Sequence, residues 1–499
     1  MFVPSRKRTV TRPQDERAAS ASTPITLRYE DGTVRIDGLE GATLTAVRES
    51  VPALEADRRT DGWRSPAFRY ADVRAALWDA DIDADRIDDR VLSLESLPTL
   101  RSAYELREYQ RTALEAWLET DRWRDGNPSH ALESLARAPA GVLELPTGSG
   151  KTVIALKAIE RLGVPTLVVV PTIDLLEQWQ RELEDEFDCE IGRFGGGEQR
   201  FGPITVSTYD SAYLKADSVG DRFGFVVFDE VHHLGGEGYR EIARLLAAPA
   251  RLGLTATFER PDDAHEIIEE IAGPLVYRVA VDELAGDHLA TYDLKRLEVA
   301  LTPAEREAYE RNQETFTDYL ARSNIRMQSG SDYQELVKRS GNDPEARKAL
   351  LARQRAREIM LGSDAKLEAL EEILDDHRGE RTIVFTAHND LAYDVSERFL
   401  IPTITHQTGA AERREILERF REGTYTRIAT SNVLDEGVDV PDASVAVVLS
   451  GSGSEREFTQ RLGRILRPKT DRSRAVLYEV LSKDTGEERV SSRRRDDSR

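Results

Sequence analysis

The sequence predicts an α/β fold: two parallel-sheet domains in tandem, with a small N-terminal α+β domain in front and a helical insertion between them. Three observations predict it. Short apolar, β-branched runs alternate with amphipathic helical stretches across 101–285, and the same alternation returns across 361–482. Between these blocks, residues 300–360 read as helix, with Phe316, Tyr319 and Leu320 at i, i+3, i+4 spacing. Residues 24–100 instead mix short alternating strands with helical stretches.

Residues 1–23 are polar and carry Arg6, Lys7, Arg8, Arg12 and Arg17, which predicts a disordered basic arm, either solvated or touching nucleic acid. The next domain opens with ITLRYEDGTVRIDGL, where Asp31-Gly32 supplies a hairpin turn. DADIDADRIDDR (Asp79–Arg90) has calcium-loop spacing, but Arg86 stands where the loop needs Gly and Leu92 where it needs Glu, so it reads as acidic surface. In 101–285 the strands are GVLEL, TLVVVPT, ITVSTY, FGFVVFDE and RLGLTAT. In 361–482 they are RTIVFT, PTITHQ, RIATSN, SVAVVLS and RAVLYEVL. Within the helical insertion, EARKALLARQRARE holds five basic residues scattered around the wheel, either a solvated helix or a nucleic-acid grip. Residues 483–499, ending in SSRRRDDSR, read as a disordered tail.

Composition narrows the function classes. Cys189 is the single cysteine, which excludes disulfides, cysteine-based zinc sites and iron–sulfur clusters. No apolar run reaches membrane-spanning length and no signal peptide shows at the N-terminus, so a cytoplasmic protein is expected. The net charge is −22, and only 10 of the 69 basic residues are lysine. An acidic, lysine-poor surface fits a cytosol of very high salt, where self-repulsion is screened. In such a medium counterion release contributes little, so net charge does not exclude nucleic-acid binding through N–H groups, hydroxyls and shape.

LPTGSGKT (Leu145–Thr152) follows the predicted strand GVLEL and opens the helix KTVIALKAIERL, the context a phosphate-binding loop requires, although Leu145 stands where the strict motif has Gly. Pro146, Thr147, Gly148, Ser149 and Gly150 form the loop, and its glycines let backbone N–H groups face phosphates at a helix N-terminus. Lys151 then reaches the β/γ-phosphates of ATP, and the Thr152 hydroxyl holds Mg²⁺. Asp229 and Glu230 end a strand 78 residues after Lys151, where ligands bind in such sheets. Asp229 is the expected Mg²⁺ ligand through water, and Glu230 the residue that polarises the attacking water. His232 and His233 follow at once, but sequence neighbours point apart and make poor co-ligands for zinc.

Together these stretches resemble the superfamily 2 helicases over about 103–470. YELREYQ (Tyr104–Gln110) resembles their adenine-reading segment, with Gln110 as reader. VVVPTIDLLEQW and ITVSTYD resemble strand-contact motifs, DEVHH the Mg²⁺ motif and LTAT the coupling motif. IVFTAHND, ATSNVLDEGVDVP and QRLGRILRP complete the second domain. Within that superfamily the chain resembles the archaeal XPB-like DNA-repair helicases, through DEVHH, TAT, QRLGRILR and the β-containing domain ahead of the core. The resemblance implies two RecA-like domains, a damage-recognition-like domain at 24–100, a thumb-like insertion, and 3′→5′ unwinding in nucleotide excision repair or promoter opening.

It also implies site residues. Gly437 and Asp439 join the nucleotide site, and Gln460, Arg464 and Arg467 act on the γ-phosphate from the second domain. Arg464 and Arg467, i and i+3, share one helix face, and guanidinium groups there stabilise charge as the bond breaks. His232 bridges the ATP site to Thr255 and Thr257. Thr172, Thr208 and Thr430 sit at predicted strand ends and read as DNA-backbone contacts or, equally, as turn and cap hydroxyls. Arg260 and Asp262 keep two places of the family's Arg-Glu-Asp triplet, but Pro261 replaces the Glu. DNA at a single-strand/duplex junction is the expected partner, with a repair nuclease beside it. A double-strand DNA translocase, an ATP-gated clamp that only marks damage and an RNA helicase stay open as alternatives.

Overall fold

The computed structural model describes residues 24–95, 97–121, 138–146, 148–236, 238–259, 264–279, 292–323, 325, 327, 330–431, 443–449 and 475–487. The N-terminal domain is a five-stranded sheet of β1 (Ile25–Glu30), β2 (Thr33–Asp37), β3 (Glu55–Ala56), β4 (Trp63–Pro66) and β5 (Ile87–Arg90), ordered β3-β4-β2-β1-β5. Asp31 and Gly32 both take positive φ in the tight turn between β1 and β2. Helices α1 (Gly41–Ser50) and α2 (Tyr70–Asp79) cover this sheet. The domain is docked rather than tethered. Tyr29 places its hydroxyl 2.9 Å from the Leu245 carbonyl, and Arg69 pairs with Glu270 at 2.8 Å.

Lobe 1 begins with α3 (Glu108–Leu118). It is built on an eight-stranded sheet: β6 (Ala140–Glu144), β7 (Thr166–Val170), β8 (Ile191–Gly195), β9 (Glu198–Arg200), β10 (Ile204–Thr208), β11 (Phe225–Asp229), β12 (Ala250–Thr255) and β13 (Leu275–Arg278). Among the described residues the order is β13-β6-β12-β11-β7-β10-β8-β9, with only β9 antiparallel. β7, β10 and β11 are buried at every residue, the burial that helices on both faces impose on central parallel strands. Those helices include α4 (Lys151–Leu162) and α5 (Ile173–Glu186), with shorter ones at α6 (Tyr209–Tyr213), α7 (Ala216–Val219), α8 (Arg240–Leu245) and α9 (His265–Ala272). The edge pair β8–β9, with Gly196 and Gly197 in its turn, extends the sheet beyond the five strands expected.

Lobe 2 is an all-parallel sheet of β14 (Tyr292–Val299), β15 (Thr382–Phe385), β16 (Thr403–Ile404), β17 (Arg427–Thr430), β18 (Val445–Val448) and β19 (Ala475–Ser482), ordered β14-β19-β18-β15-β17-β16. The helical segment α10 (Pro303–Ser323), α11 (Gly330–Ser340) and α12 (Pro344–Leu361) is inserted after β14, and packs around Phe316, Leu336, Ala346 and Ala349. Lobe 2 therefore starts before the insertion, not at 361 as the pattern predicted, because β14 pairs with β19 along its whole length. Residues 483–487 are ordered, against the expected tail. Lys366, on α13 (Asp364–Asp376), is 1% exposed, and its buried ammonium is met by Glu487 at 2.7 Å. Two more helices among the described residues, α14 (Asn389–Phe399) and α15 (Ala410–Arg421), belong to the lobe. α15 carries Arg413 and Arg414 onto α5 of lobe 1, where they pair with Asp174 at 2.6 Å and Glu177 at 2.7 Å.

Candidate active site

Three neighbouring strands of lobe 1 end at one place. β12 lies between β6 and β11, so the loop after β6, Thr255 at the end of β12 and Asp229 at the end of β11 are brought side by side. The loop Leu145–Gly150 is fixed from both sides. Leu145 N–H donates to the Thr255 carbonyl at 2.9 Å, and Ser149 Oγ donates to the Pro146 carbonyl at 2.7 Å. Gly148 (φ 82°) and Gly150 (φ 80°) take left-handed conformations that bring the backbone onto the N-terminus of α4. A Cβ on Gly150 would lie 2.5 Å from Gln110 Nε2, and its φ of +80° strains any side chain there, so a substitution would displace the Gln110 brace. Lys151 and Thr152 form the first turn of α4, and Lys151 Nζ rests 3.1 Å from the Leu145 carbonyl.

Asp229 and Glu230 are both 7% exposed. Burial, and then the neighbouring Glu230 charge, push the Asp229 carboxyl up to about 6, while Lys151 pulls it down. Its oxygens accept hydrogen bonds from the Trp179 indole at 2.8 Å and from the Glu230 N–H at 3.0 Å. Glu230 is one of five non-glycine residues with positive φ among the described residues (φ 49°), and one of its buried oxygens, Oε2, makes no hydrogen bond. A strained, half-satisfied carboxylate beside a phosphate-type loop is a group held ready for something else. His232 Nδ1 lies 3.1 Å from Thr255 Oγ1 and 3.5 Å from Glu230 Oε2. Thr255 Oγ1 in turn donates to the Thr257 carbonyl at 2.9 Å. His233 packs on Tyr209, with ring centroids 5.5 Å apart.

Several expected site residues make local hydrogen bonds in the structure. Gln110 is 3% exposed and its carboxamide is engaged at both ends. It donates to the Ser149 carbonyl at 2.8 Å and accepts from Arg107 N–H at 2.9 Å, so it braces the phosphate loop. Tyr109 adds a second brace, its hydroxyl 2.5 Å from the Ser149 carbonyl. Thr172 and Thr208 cap α5 and α6, accepting from Leu175 N–H and Ser211 N–H at 3.3 Å each. Thr430 is buried and donates to the Ser431 carbonyl at 2.7 Å. The hydroxyls of Thr172 and Thr208 thus cap helices, and that of Thr430 bonds locally at the end of its own strand. Thr147, Arg260, Asp262, Gly437, Asp439, Gln460, Arg464 and Arg467 lie outside the described residues.

Sequence reasoning missed Trp179 and Tyr109. Both sit inside recognisable motifs, but nothing local shows that an indole will reach a carboxylate 50 residues on.

The residues fit a magnesium–nucleotide pair. Two left-handed glycines form a cradle at a helix N-terminus, and Lys151 and the hydroxyl-bearing Thr152 open that helix. Two buried carboxylates, Asp229 and Glu230, stand at a strand end of the same sheet. These are hard oxygen donors and a cation, suited to a nucleotide with its magnesium. Among the described residues no three His, Cys, Asp or Glu side chains are grouped to hold a metal by themselves.

Three family models match. Residues 27–91 match the xeroderma pigmentosum group B helicase damage recognition domain, 103–260 the type III restriction enzyme res subunit, and 348–497 the ERCC3/RAD25/XPB C-terminal helicase. The chain is 43% identical over 472 residues to the "DNA 3'-5' translocase XPB2" of Sulfurisphaera tokodaii, covering 95% of this chain and 100% of that protein. It is 31% identical to the "Putative DNA 3'-5' helicase Rad25" of Halobacterium salinarum, over 92% of this chain and 68% of that protein. The solved structure of Saccharomyces cerevisiae Dbp5 bound to RNA and ADP BeF3 superposes with a TM-score of 0.52 at 15% identity, covering 78% of this chain and 86% of that one, a likeness of fold. A phosphate loop, an Asp-Glu pair and a His–Thr bridge on the first of two parallel-sheet lobes, with a relative matched from end to end, lead to one assignment: the chain belongs to the XPB family of superfamily 2 helicases, ATP-hydrolysing enzymes with two RecA-like lobes.

Proposed function

We propose that this protein is an ATP-dependent 3′→5′ DNA helicase that separates strands at a single-strand/duplex junction, in nucleotide excision repair or duplex opening. The observation that carries the reading is the meeting of the Lys151 loop, the Asp229–Glu230 pair and the His232–Thr255 bridge at three adjacent strand ends. Relatives described as a DNA 3'-5' translocase and a putative DNA 3'-5' helicase support it.

Bound Mg²⁺ would supply charge neutralisation at the phosphates, held by Thr152 and Asp229. The loop that starts at Pro146 cradles the phosphates with its backbone N–H groups rather than with side chains, and Lys151 neutralises their charge. Glu230, with one oxygen free of hydrogen bonds, orients the attacking water. Gln460, Arg464 and Arg467, with Gly437 and Asp439, complete the site from lobe 2, so that hydrolysis opens and closes the cleft. His232 passes that change to Thr255 and Thr257. DNA runs across the strand ends at Thr172, Thr208 and Thr430, met there by backbone N–H groups, and reaches Arg260 and Asp262. The protein works on cytoplasmic DNA beside a repair nuclease; among the described residues no helix is long and apolar enough to cross a membrane.

A second reading, a double-strand translocase that moves without separating strands, is favoured by one observation: Pro261 interrupts the triplet soon after Thr257. The test compares ATPase with single-stranded DNA, duplex DNA and RNA in molar KCl, alongside unwinding of a 3′-tailed duplex. DNA-stimulated turnover with unwinding is expected. Stimulation by duplex without unwinding transfers the assignment to the translocase, and turnover that ignores DNA removes both.

A further inference from the structure

α5 joins two places that the nucleotide reading leaves separate. Its outward face carries Asp174 and Glu177, three apart and so on one side of the helix, and both are held by lobe 2 through Arg413 (2.6 Å) and Arg414 (2.7 Å). Its inward face carries Leu175, Leu176, Trp179 and Leu183, all buried against the sheet. Trp179 is 1% exposed and donates its indole N–H to Asp229 Oδ2 at 2.8 Å. From Asp174 to Trp179 the helix rises only about 7.5 Å. A close-packed helix of this length moves as one piece, so a shift of lobe 2 that drags Asp174 and Glu177 also drags the indole.

We infer that α5 is a mechanical link between lobe 2 and the nucleotide site, with Trp179 as the positioning residue that fixes the Asp229 carboxylate. The inference rests on the proposed role of Asp229 at the nucleotide. The link differs from the His232–Thr255 bridge, which joins the end of β12 to the turn after β11 and continues to Thr257. An indole suits the task. It has one N–H and no acceptor, so it holds one carboxylate oxygen and leaves that oxygen's other lone pair for a cation. The Glu230 N–H holds the other oxygen in the same way. The lobe-2 arginines are weaker holds, since both pairs keep some solvent exposure, and pairs of that kind break and remake readily.

The test has two arms. In the first, binding of a non-hydrolysable ATP analogue is titrated with Mg²⁺, without DNA, in the full chain and in Trp179→Phe. The Mg²⁺ needed for half-saturation is expected to rise about 10–100-fold, as when an outer partner of a metal-ligating group is lost. Affinity in EDTA is expected to stay unchanged. Equal loss with and without Mg²⁺, or no loss in either, overturns the positioning role.

In the second arm, Arg413→Gln/Arg414→Gln is combined with Trp179→Phe in a double-mutant cycle read as the ratio of ATPase with and without DNA. The arginine pair alone is expected to halve that ratio or more while leaving basal turnover unchanged. In the Trp179→Phe background it is expected to add less than a twofold change. Fully additive effects overturn the link. Wild-type turnover that does not respond to DNA removes the motor reading and the link together, while the Mg²⁺ arm still decides Trp179.

Discussion

His232 Nδ1 lies 3.1 Å from Thr255 Oγ1, a side-chain bridge between the ends of β11 and β12. Thr255 is also bonded to Thr257, by donation to its carbonyl at 2.9 Å and acceptance from its N–H at 3.2 Å. The bridge thus runs from beside Glu230 to the backbone that leads out of β12. A single hydrogen bond contributes about 1 kcal/mol, too little to hold the fold but enough to set the position of a loop. His232→Ala is expected to keep nucleotide affinity and DNA-free turnover within about threefold, and to lose most DNA stimulation. ATPase titrated with single-stranded DNA checks this. A variant stimulated like the wild type removes His232 from the coupling path.

Asp229 is a buried carboxyl whose value is raised from an ordinary 3.8 to about 6, by burial first and by Glu230 second. The folded chain therefore binds this proton more tightly than the unfolded chain does. Its contribution is favourable below about 4 and is lost as pH rises through about 6. A difference of about 2 between the two values corresponds to on the order of 3 kcal/mol at neutral pH without magnesium. Asp229→Asn keeps acceptor oxygen for the indole and removes the buried charge. The variant is expected to unfold at higher denaturant than the wild type at pH 7.5 in EDTA, to lose that advantage near pH 4, and to hydrolyse no ATP. Denaturant melts at the two pH values measure it, and a variant less stable at pH 7.5 contradicts the sign.

The central strands and the phosphate loop are legible in the sequence because their signals are local. Runs of β-branched residues such as TLVVV and FVVFD mark strands buried on both faces, and Gly148 and Gly150 mark a turn only glycine makes. What is not legible depends on partners far away in the chain. YDLKRLEV does not alternate cleanly, yet β14 finds a full-length partner in β19, with Arg296 on Glu479 across 183 residues. The motifs point Gln110 and the threonines at ligands. Gln110, Thr172 and Thr208 each also bond a nearby backbone group, the Ser149 carbonyl or a helix N-terminus, and such local hydrogen bonds are not written in the motif.

Lys366 and Glu487 form an ion pair with almost no access to water, the ammonium also donating to the Leu449 carbonyl at 2.7 Å. Burial pushes the lysine down and the glutamate up, and each is opposed by its partner's charge. Lys366→Met leaves a buried carboxylate alone and is expected to cost about 3–5 kcal/mol in lobe 2. Adding Glu487→Leu is expected to recover most of that loss, because two apolar groups need no compensation. Chemical denaturation of the single and double variants checks both steps. A single variant as stable as the wild type shows that the pair does not hold residues 483–487 in place.

The chain carries 91 acidic and 69 basic residues, and its charge of −22 repels itself whenever the screening length is long. Two effects compete as salt is added. Exposed ion pairs weaken, but each contributes only about 0–1 kcal/mol, and the pairs between Arg413 or Arg414 and α5 belong partly to this class. Net repulsion acts between all surface charges at once, and the screening length falls from about 10 Å at 0.1 M to about 3 Å at 1 M. In a chain this unbalanced, repulsion outweighs the lost ion pairs. The unfolding temperature is therefore expected to rise with KCl, most steeply below about 1 M, and to rise equally with NaCl, since screening depends on ionic strength and not on the ion. A thermal melt series in both salts decides it. A flat or falling profile would mean that the acidic surface is not an adaptation to high salt, and that the lysine-poor composition needs another cause.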